Sequence, residues 1–309
     1  MQRMGTELHM ASSPEINRDQ IGDLTMPRRA SMLSQMGFYF RRKPLGAIGV
    51  SIVVFIGIVA LFAPWIAPFE YQAQNYEAIN VPPNLTHYFG TDNFGRDSFS
   101  RIVAGARISL LVGFAAVIVG TGLGAMLGLF SGYYMGKFDA IVQRLVDMWM
   151  SFPDMILALT VVAVFGNTLT NVILAIAATI MPRGVRVIRA STIALRETDY
   201  VTAAHAIGAG STRIILRHIL PNTVAPFLII MSSMFGTAIL TEAGLSYLGL
   251  GISEPFPSWG RMVTVAAQYA VTAPWIVIFP GLAIMFTVMG FAFAGDALRD
   301  IFDPRLRGE

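Results

Sequence analysis

Six long, mostly apolar stretches rich in Ile, Val, Leu, Ala, Phe, Met and Gly lie at residues 44–67, 103–131, 139–165, 170–189, 222–250 and 274–295, the third and fifth of them also carrying charges. A bilayer core of about 30 Å is crossed by about 20 mostly apolar helical residues, and each stretch is at least that long. Within hydrocarbon only helices or closed barrels satisfy every backbone N–H and C=O, and runs this long without period-2 alternation are helical. The pattern predicts an all-α membrane protein with six transmembrane helices. With a mean hydropathy of +0.60 and only 13% charged residues, an ordinary soluble domain of this length is excluded.

The first apolar run follows 43 residues that carry seven Lys/Arg and four Asp/Glu, and it is too long to be the core of a cleaved signal peptide. It reads as a retained first span, behind a polar, aperiodic tail over residues 1–40 that is expected to be disordered and cytoplasmic. Residues 41–309 then form the membrane domain. Orientation follows from the basic residues. With the N-terminus inside, cytoplasmic segments hold the leader's seven, Lys137, then Arg183, Arg186, Arg189, Arg196, Arg213 and Arg217, and finally Arg299, Arg305 and Arg307. Only Arg96, Arg101, Arg107, Arg144 and Arg261 remain for the outside or the helix ends. Both termini are therefore expected in the cytoplasm. This asymmetry accounts for the pI of about 9.3 without a nucleic-acid partner. The chain contains no cysteine, so disulfides and thiolate metal sites are excluded.

Gly120, Gly124, Gly128, Gly132 and Gly136 recur every four residues, a ladder that lets another helix approach closely, either within this subunit or across a subunit interface. The run GYYMGKF at 132–138 has the wrong glycine spacing, and no Ser or Thr after its Lys, for a phosphate-binding loop. No nucleotide site is expected. Ionisable residues within spans raise a functional question. Asp147 reads as a snorkelling or Arg144-paired carboxylate, while Asp154 and Glu242 are candidates either for structural hydrogen bonding or for lining a polar pathway. No nucleophile, base or metal-ligand cluster suggests an enzyme. His205 and His218 lack a partner cluster, and Asn84-Leu85-Thr86 is a weak glycosylation match.

The stretch YVTAAHAIGAGSTRIILRHILPN at 200–222 interrupts the apolar pattern. Residues 200–207 suit a short helix, Gly208-Ala209-Gly210 a break, Ser211 or Thr212 a cap, and Pro221 the stop of a second helix. Ile215, Leu216, Ile219 and Leu220 would share one side of it, and Arg213 and Arg217 another. Such a piece can lie on a membrane surface, dock in a partner's groove, or stabilise its own bundle.

The order Ala203-Ala204, Gly208, His218-Ile219-Leu220-Pro221 resembles the cytoplasmic signature loop of membrane subunits of bacterial ATP-binding-cassette importers. Thr202 stands where an acidic residue often precedes the paired alanines. GTDNFGRDSFSRIVAGARISL at 90–110, LSYLGLGISEPFPSWGRM at 245–262, APWIVIFPGLAI at 273–284 and GDALRDIFDPRLR at 295–307 are similar to the dipeptide and oligopeptide permease of the C type. The resemblance implies a multi-pass permease of the bacterial inner membrane, with a coupling-helix loop between helices 4 and 5, that does no covalent chemistry. It implies a second permease subunit, two cytoplasmic ATPase subunits that bind ATP and Mg, and an extracytoplasmic peptide-binding protein. No cofactor is expected on this chain. Thr202, Ala203, Ala204, Gly208, Arg213, Arg217 and Pro221 would form the loop that meets the ATPase. Loops 68–100 and 251–273 would form the outer face. Di- or oligopeptides are the implied cargo, with nickel complexes or sugars as alternatives. A self-sufficient ion-coupled carrier or channel would instead show a repeated half, and none is visible.

Overall fold

A computed structural model describes residues 44–253 and 255–302 of the chain. The expected tail over 1–40 lies outside these residues, as does the last part of the 295–307 stretch. Among the described residues there is no strand, only an isolated bridge between Thr91 and Asp97. Five helices are long and apolar enough to cross a membrane, and a sixth crossing arises if one bent pair counts as a single span.

Helix α1 (Pro44–Leu61) is apolar on every side and largely exposed, as a lipid-facing helix should be. A structured connection follows. In it Asp92 accepts hydrogen bonds from the backbone of Phe94 and Arg96 and pairs with the Arg96 Nε at 2.7 Å. Asp97 then caps α2 (Ser98–Tyr134), accepting from the Ser100 N–H at 2.8 Å. At about 1.5 Å per residue, α2 measures about 55 Å and outruns the bilayer. It ends where Met135 and Gly136 both adopt positive φ, turning the chain into α3 (Gly136–Met150).

The expected third span is not one straight helix. Helix α3 and α4 (Asp154–Phe165) meet at 88° around Ser151-Phe152-Pro153. Proline restricts the residue before it to extended backbone and breaks helical bonding, so the chain bends there. Helix α5 (Leu169–Arg196) begins on a Thr168 cap and continues well beyond residue 189, the end expected from the apolar run. Arg183, Arg186 and Arg189, assigned to a loop on sequence grounds, are therefore residues of α5. The short α6 (Asp199–Ala206) precedes α7 (Ser211–Tyr247), α8 (Trp259–Ala266) and α9 (Trp275–Phe302).

The glycine ladder lies against α5. A Cβ at Gly120, Gly124, Gly128 or Gly132 would fall 2.4 to 2.8 Å from a backbone oxygen of Ala177, Met181, Val185 or Arg189 respectively. Both backbones thus touch directly, the arrangement that drives helix association where lipid removes the hydrophobic incentive. Gly136 is not a rung, because it turns the chain and has open space around it. The main core lies between α2, α5 and α7 and includes Val112, Ala116, Ile176, Ile180, Phe235 and Ile239. Phe235 stacks on Phe291 of α9 and so joins the last helix to it. Among the described residues no group of three or more His, Cys, Asp or Glu could hold a metal ion.

Candidate functional site

Helix α6 ends in a Schellman arrangement. Gly208, at φ +81°, donates to the His205 carbonyl at 2.9 Å, and Ala209 donates to the Ala204 carbonyl at 3.0 Å. Nothing lies within 4 Å of where a Gly208 Cβ would stand, so only its backbone conformation requires glycine. Val201 and Ala204 turn inward and join Leu129 and Tyr133 of α2, Ile188 of α5, and Ile214, Ile215 and Ile219 of α7 in a second apolar core. The loop is thereby fixed to three long helices. Its other side is open: Thr202, Ala203, His205, Ala206 and Gly208 are exposed, and Ile207 is 85% exposed. Thr202 turns its hydroxyl back to the Thr198 carbonyl at 3.2 Å. His205 stacks on Tyr133, and His218 lies tilted against Tyr200.

Three expectations for 211–222 need correction. Neither Ser211 nor Thr212 caps the helix; Gly210 occupies the cap position with no side-chain bond. The buried side is Ile214, Ile215 and Ile219, whereas Leu216 and Leu220 are exposed, because a π turn over Ile215–Ile219 rotates the face. Pro221 does not stop the helix. Leu220 N–H reaches back to the Ile215 carbonyl, and this wider turn absorbs the disruption a proline otherwise causes, so α7 runs on to Tyr247. Arg213 and Arg217 are exposed, as the spacing suggested.

A second polar feature joins α5 to the bent pair. Arg183 donates to Asp154 at 2.6 Å, Arg186 to Asp147 at 2.6 Å, and Arg189 to Asp139 through both Nε and Nη2 at 2.6 Å. Asp147 thus pairs with Arg186 of another helix and not with Arg144. The rungs differ in burial. Side chains of the Arg189–Asp139 rung are only 29% and 12% exposed, with Ser131 also donating to Asp139. Those of Arg183–Asp154 are 36% and 42% exposed, and those of Arg186–Asp147 are 49% and 63% exposed. Solvent-screened pairs of the latter kind contribute about 0–1 kcal/mol, while a bidentate, sheltered pair holds its helices more firmly. Sequence reasoning singled out Asp154 but missed its partner. Arginines at 183, 186 and 189, three residues apart, were the available signal.

Glu242 is 1% exposed, five residues before the C-terminal end of α7. It accepts from Ser246 at 2.8 Å and shares a hydrogen bond with Ser258, the cap of α8. A Cβ on Gly260 would stand 3.1 Å from its Oε2. Trp259 beside it donates its indole N–H to the Ile102 carbonyl of α2 at 2.9 Å. Glu242 and Asp154 are not brought into one site; the first is sealed among α7 and α8, the second paired on an open flank.

Residues 124–308 match the family described as binding-protein-dependent transport system inner membrane component, and residues 31–83 match the N-terminal transmembrane domain of oligopeptide transport permease C. The chain is 42% identical over 267 residues to the dipeptide transport system permease protein DppC of Alkalihalophilus pseudofirmus, covering 86% of this chain and 88% of the relative. It is 43% identical over 272 residues to the glutathione transport system permease protein GsiD of Escherichia coli, covering 87% and 89%. Among solved structures it resembles a chain of the inward-facing MetNI methionine ABC transporter, with a TM-score of 0.54 and 20% identity over 66% of this chain and 97% of that one. That likeness concerns the fold. Taken with the all-helical architecture of five or six candidate crossings, the sequence matches establish that the chain belongs to the inner membrane components of binding-protein-dependent transport systems, as a multi-pass permease subunit of the C-type branch.

Proposed function

We propose that the chain forms half of the translocation pathway of an ATP-driven importer of di- and oligopeptides, paired with a second, different permease subunit. Two cytoplasmic ATPase subunits bind ATP and Mg and do the hydrolysis, and an extracytoplasmic binding protein delivers cargo. Both termini face the cytoplasm. Cargo is carried over from relatives named for dipeptide and glutathione transport.

The observation that carries the coupling role is the geometry of α6. Its inward residues, Val201 and Ala204, are locked to α2, α5 and α7, while its outward residues, Thr202, Ala203 and Ile207, are open and small or apolar. A helix so built transmits a push from a partner to three spans at once. Gly208 sets its end, Arg213 and Arg217 flank it, and Pro221 follows the π turn within the first turns of α7. Closure of the ATPase pair would bias the bundle between two states through this contact. Loops 68–100 and 251–273, with exposed Tyr76, Tyr88 and Phe256, suit a docking face for the binding protein. Asp154 lines the pathway in this reading, and Glu242 is the structural carboxylate that holds α8 against α7.

The test is uptake by the reconstituted complex. ATP-dependent peptide accumulation that stops when hydrolysis is blocked is the expected result; unchanged uptake, or transport by this chain alone, would favour a secondary carrier.

A further inference from the structure

We infer that the two outer rungs, Arg183–Asp154 and Arg186–Asp147, form a transient site for a zwitterionic cargo, one that exchanges its ammonium and carboxylate with the rung partners. The inference rests on the transport reading above and names where in this chain the cargo's charged ends are met.

Depth is the first argument. Arg183 stands midway along the 28-residue α5, about 21 Å from its start. Half-exposed charges at such a depth face a water-filled cavity or other polar groups, because hydrocarbon would penalise them heavily. Sidedness is the second. Leu145 and Trp149, each two residues and so about 200° round α3 from Asp147, line with Leu127, Phe152 and Met181 a groove of about 470 Å³ that exposes apolar surface alone. Lipid suits that flank, and the flank with the rungs is left for the pathway.

Chemistry decides the ligand class. Each outer rung offers one guanidinium and one carboxylate that already satisfy each other, so an entering ammonium and carboxylate can replace them without stranding a charge. Arg183 and Arg186 are about 4.5 Å apart along the helix axis. An extended dipeptide places its termini about 7 Å apart, within reach of the Arg of one rung and the Asp of the next given the length of the arginine side chain. A site for passage must release what it binds, and exposed, single-bonded pairs meet that need. The Arg189–Asp139 rung, bidentate and sheltered, does not exchange and serves as the anchor.

The complex with its ATPase, second permease and binding subunits is reconstituted in vesicles and supplied with a dipeptide bearing free termini, or its N-acetyl, C-amide form. If the wild-type complex shows no ATP-dependent uptake of the free dipeptide, the transport reading fails by itself. Otherwise Asp154→Asn with Arg183→Gln, and separately Asp147→Asn with Arg186→Gln, should lower free-dipeptide uptake about tenfold while leaving assembly of the complex unchanged. The same variants should leave the slow uptake of the blocked form unaltered. Equal losses for both forms, no loss in either variant, or failure of both variants to assemble would overturn the site. A transport-independent check uses the cysteine-free chain. Met150, three residues past Asp147 on the same side, is 37% exposed, and Leu145 lines the apolar groove. Met150→Cys should react with a membrane-impermeant thiol reagent and be protected by free dipeptide, and Leu145→Cys should not react; the reverse pattern, or no protection, also overturns it.

Discussion

Gly208 and Asp139 show how differently two single residues constrain this protein. At Gly208 the requirement is conformational: φ of +81° with empty space around it. A β-branched residue there costs about 1–3 kcal/mol of backbone strain and relieves it by reorienting the end of α6. Gly208→Val is therefore expected to insert normally in the membrane yet lose most ATP-dependent uptake, whereas Gly208→Asn, which tolerates positive φ, should keep much of it. Uptake in vesicles beside a membrane-fraction assay separates the two effects. At Asp139 the requirement is a partner. Asp139→Asn leaves the sheltered Arg189 guanidinium without its bidentate acceptor and should destabilise the detergent-solubilised protein by about 2–3 kcal/mol. Asp147→Asn, on the most exposed rung, should change thermal stability by less than about 1 kcal/mol. Equal shifts in melting temperature for these two would contradict the division into anchor and exchangeable rungs.

Between elements, the α2–α5 contact is the tightest part of the bundle, because four glycines bring one backbone against the other. A Cβ at Gly128 would meet the Val185 carbonyl at 2.4 Å, and backbone cannot give way as a side chain can. Gly128→Leu should force the helices apart at a cost of about 1–3 kcal/mol or more and lower the yield of folded protein, while Gly122→Leu, facing open space on the same helix, should be tolerated. Fluorescence-detected size exclusion of the two variants checks this. The ladder was legible in sequence, since four-residue spacing names a helix face. Its partner was not, because spacing carries no information about which helix lies opposite. The same distinction explains the site. Val201, Ala204 and Gly208 could be placed on a short, broken helix from local residue types. The face of α7 could not, since a π turn adds one residue to a turn and leaves no mark in an apolar run. Likewise Arg183, Arg186 and Arg189 looked like loop residues because the inner end of the 170–189 stretch is basic, when each had in fact found a carboxylate on α3 or α4.

For the whole molecule, the number of crossings depends on the α3–α4 pair, whose 88° bend permits either one broken span or a re-entrant excursion. The two topologies predict different sides for two exposed residues. Leu85, 95% exposed in the connection before α2, and Ile207, 85% exposed after α6, are separated by α2, the bent pair and α5. If the pair crosses, the path makes three crossings and the residues lie on opposite faces; if it re-enters, two crossings place them on the same face. The excess of basic residues after α5 and in the leader favours three, with Ile207 in the cytoplasm and Leu85 outside. Because the chain has no cysteine of its own, Leu85→Cys and Ile207→Cys each present a single thiol. An impermeant reagent added to intact cells should label Leu85→Cys alone, and the same reagent added to inverted vesicles should label Ile207→Cys alone. Addition of the ATPase subunits should then shield Ile207→Cys while leaving Leu85→Cys unaffected, since only the open side of α6 is proposed to meet them. Labelling of both from the same face would convert the bent pair into a re-entrant loop. It would also move α6 away from any cytoplasmic partner or α2 from its assigned direction, so one experiment tests the topology and the coupling surface together.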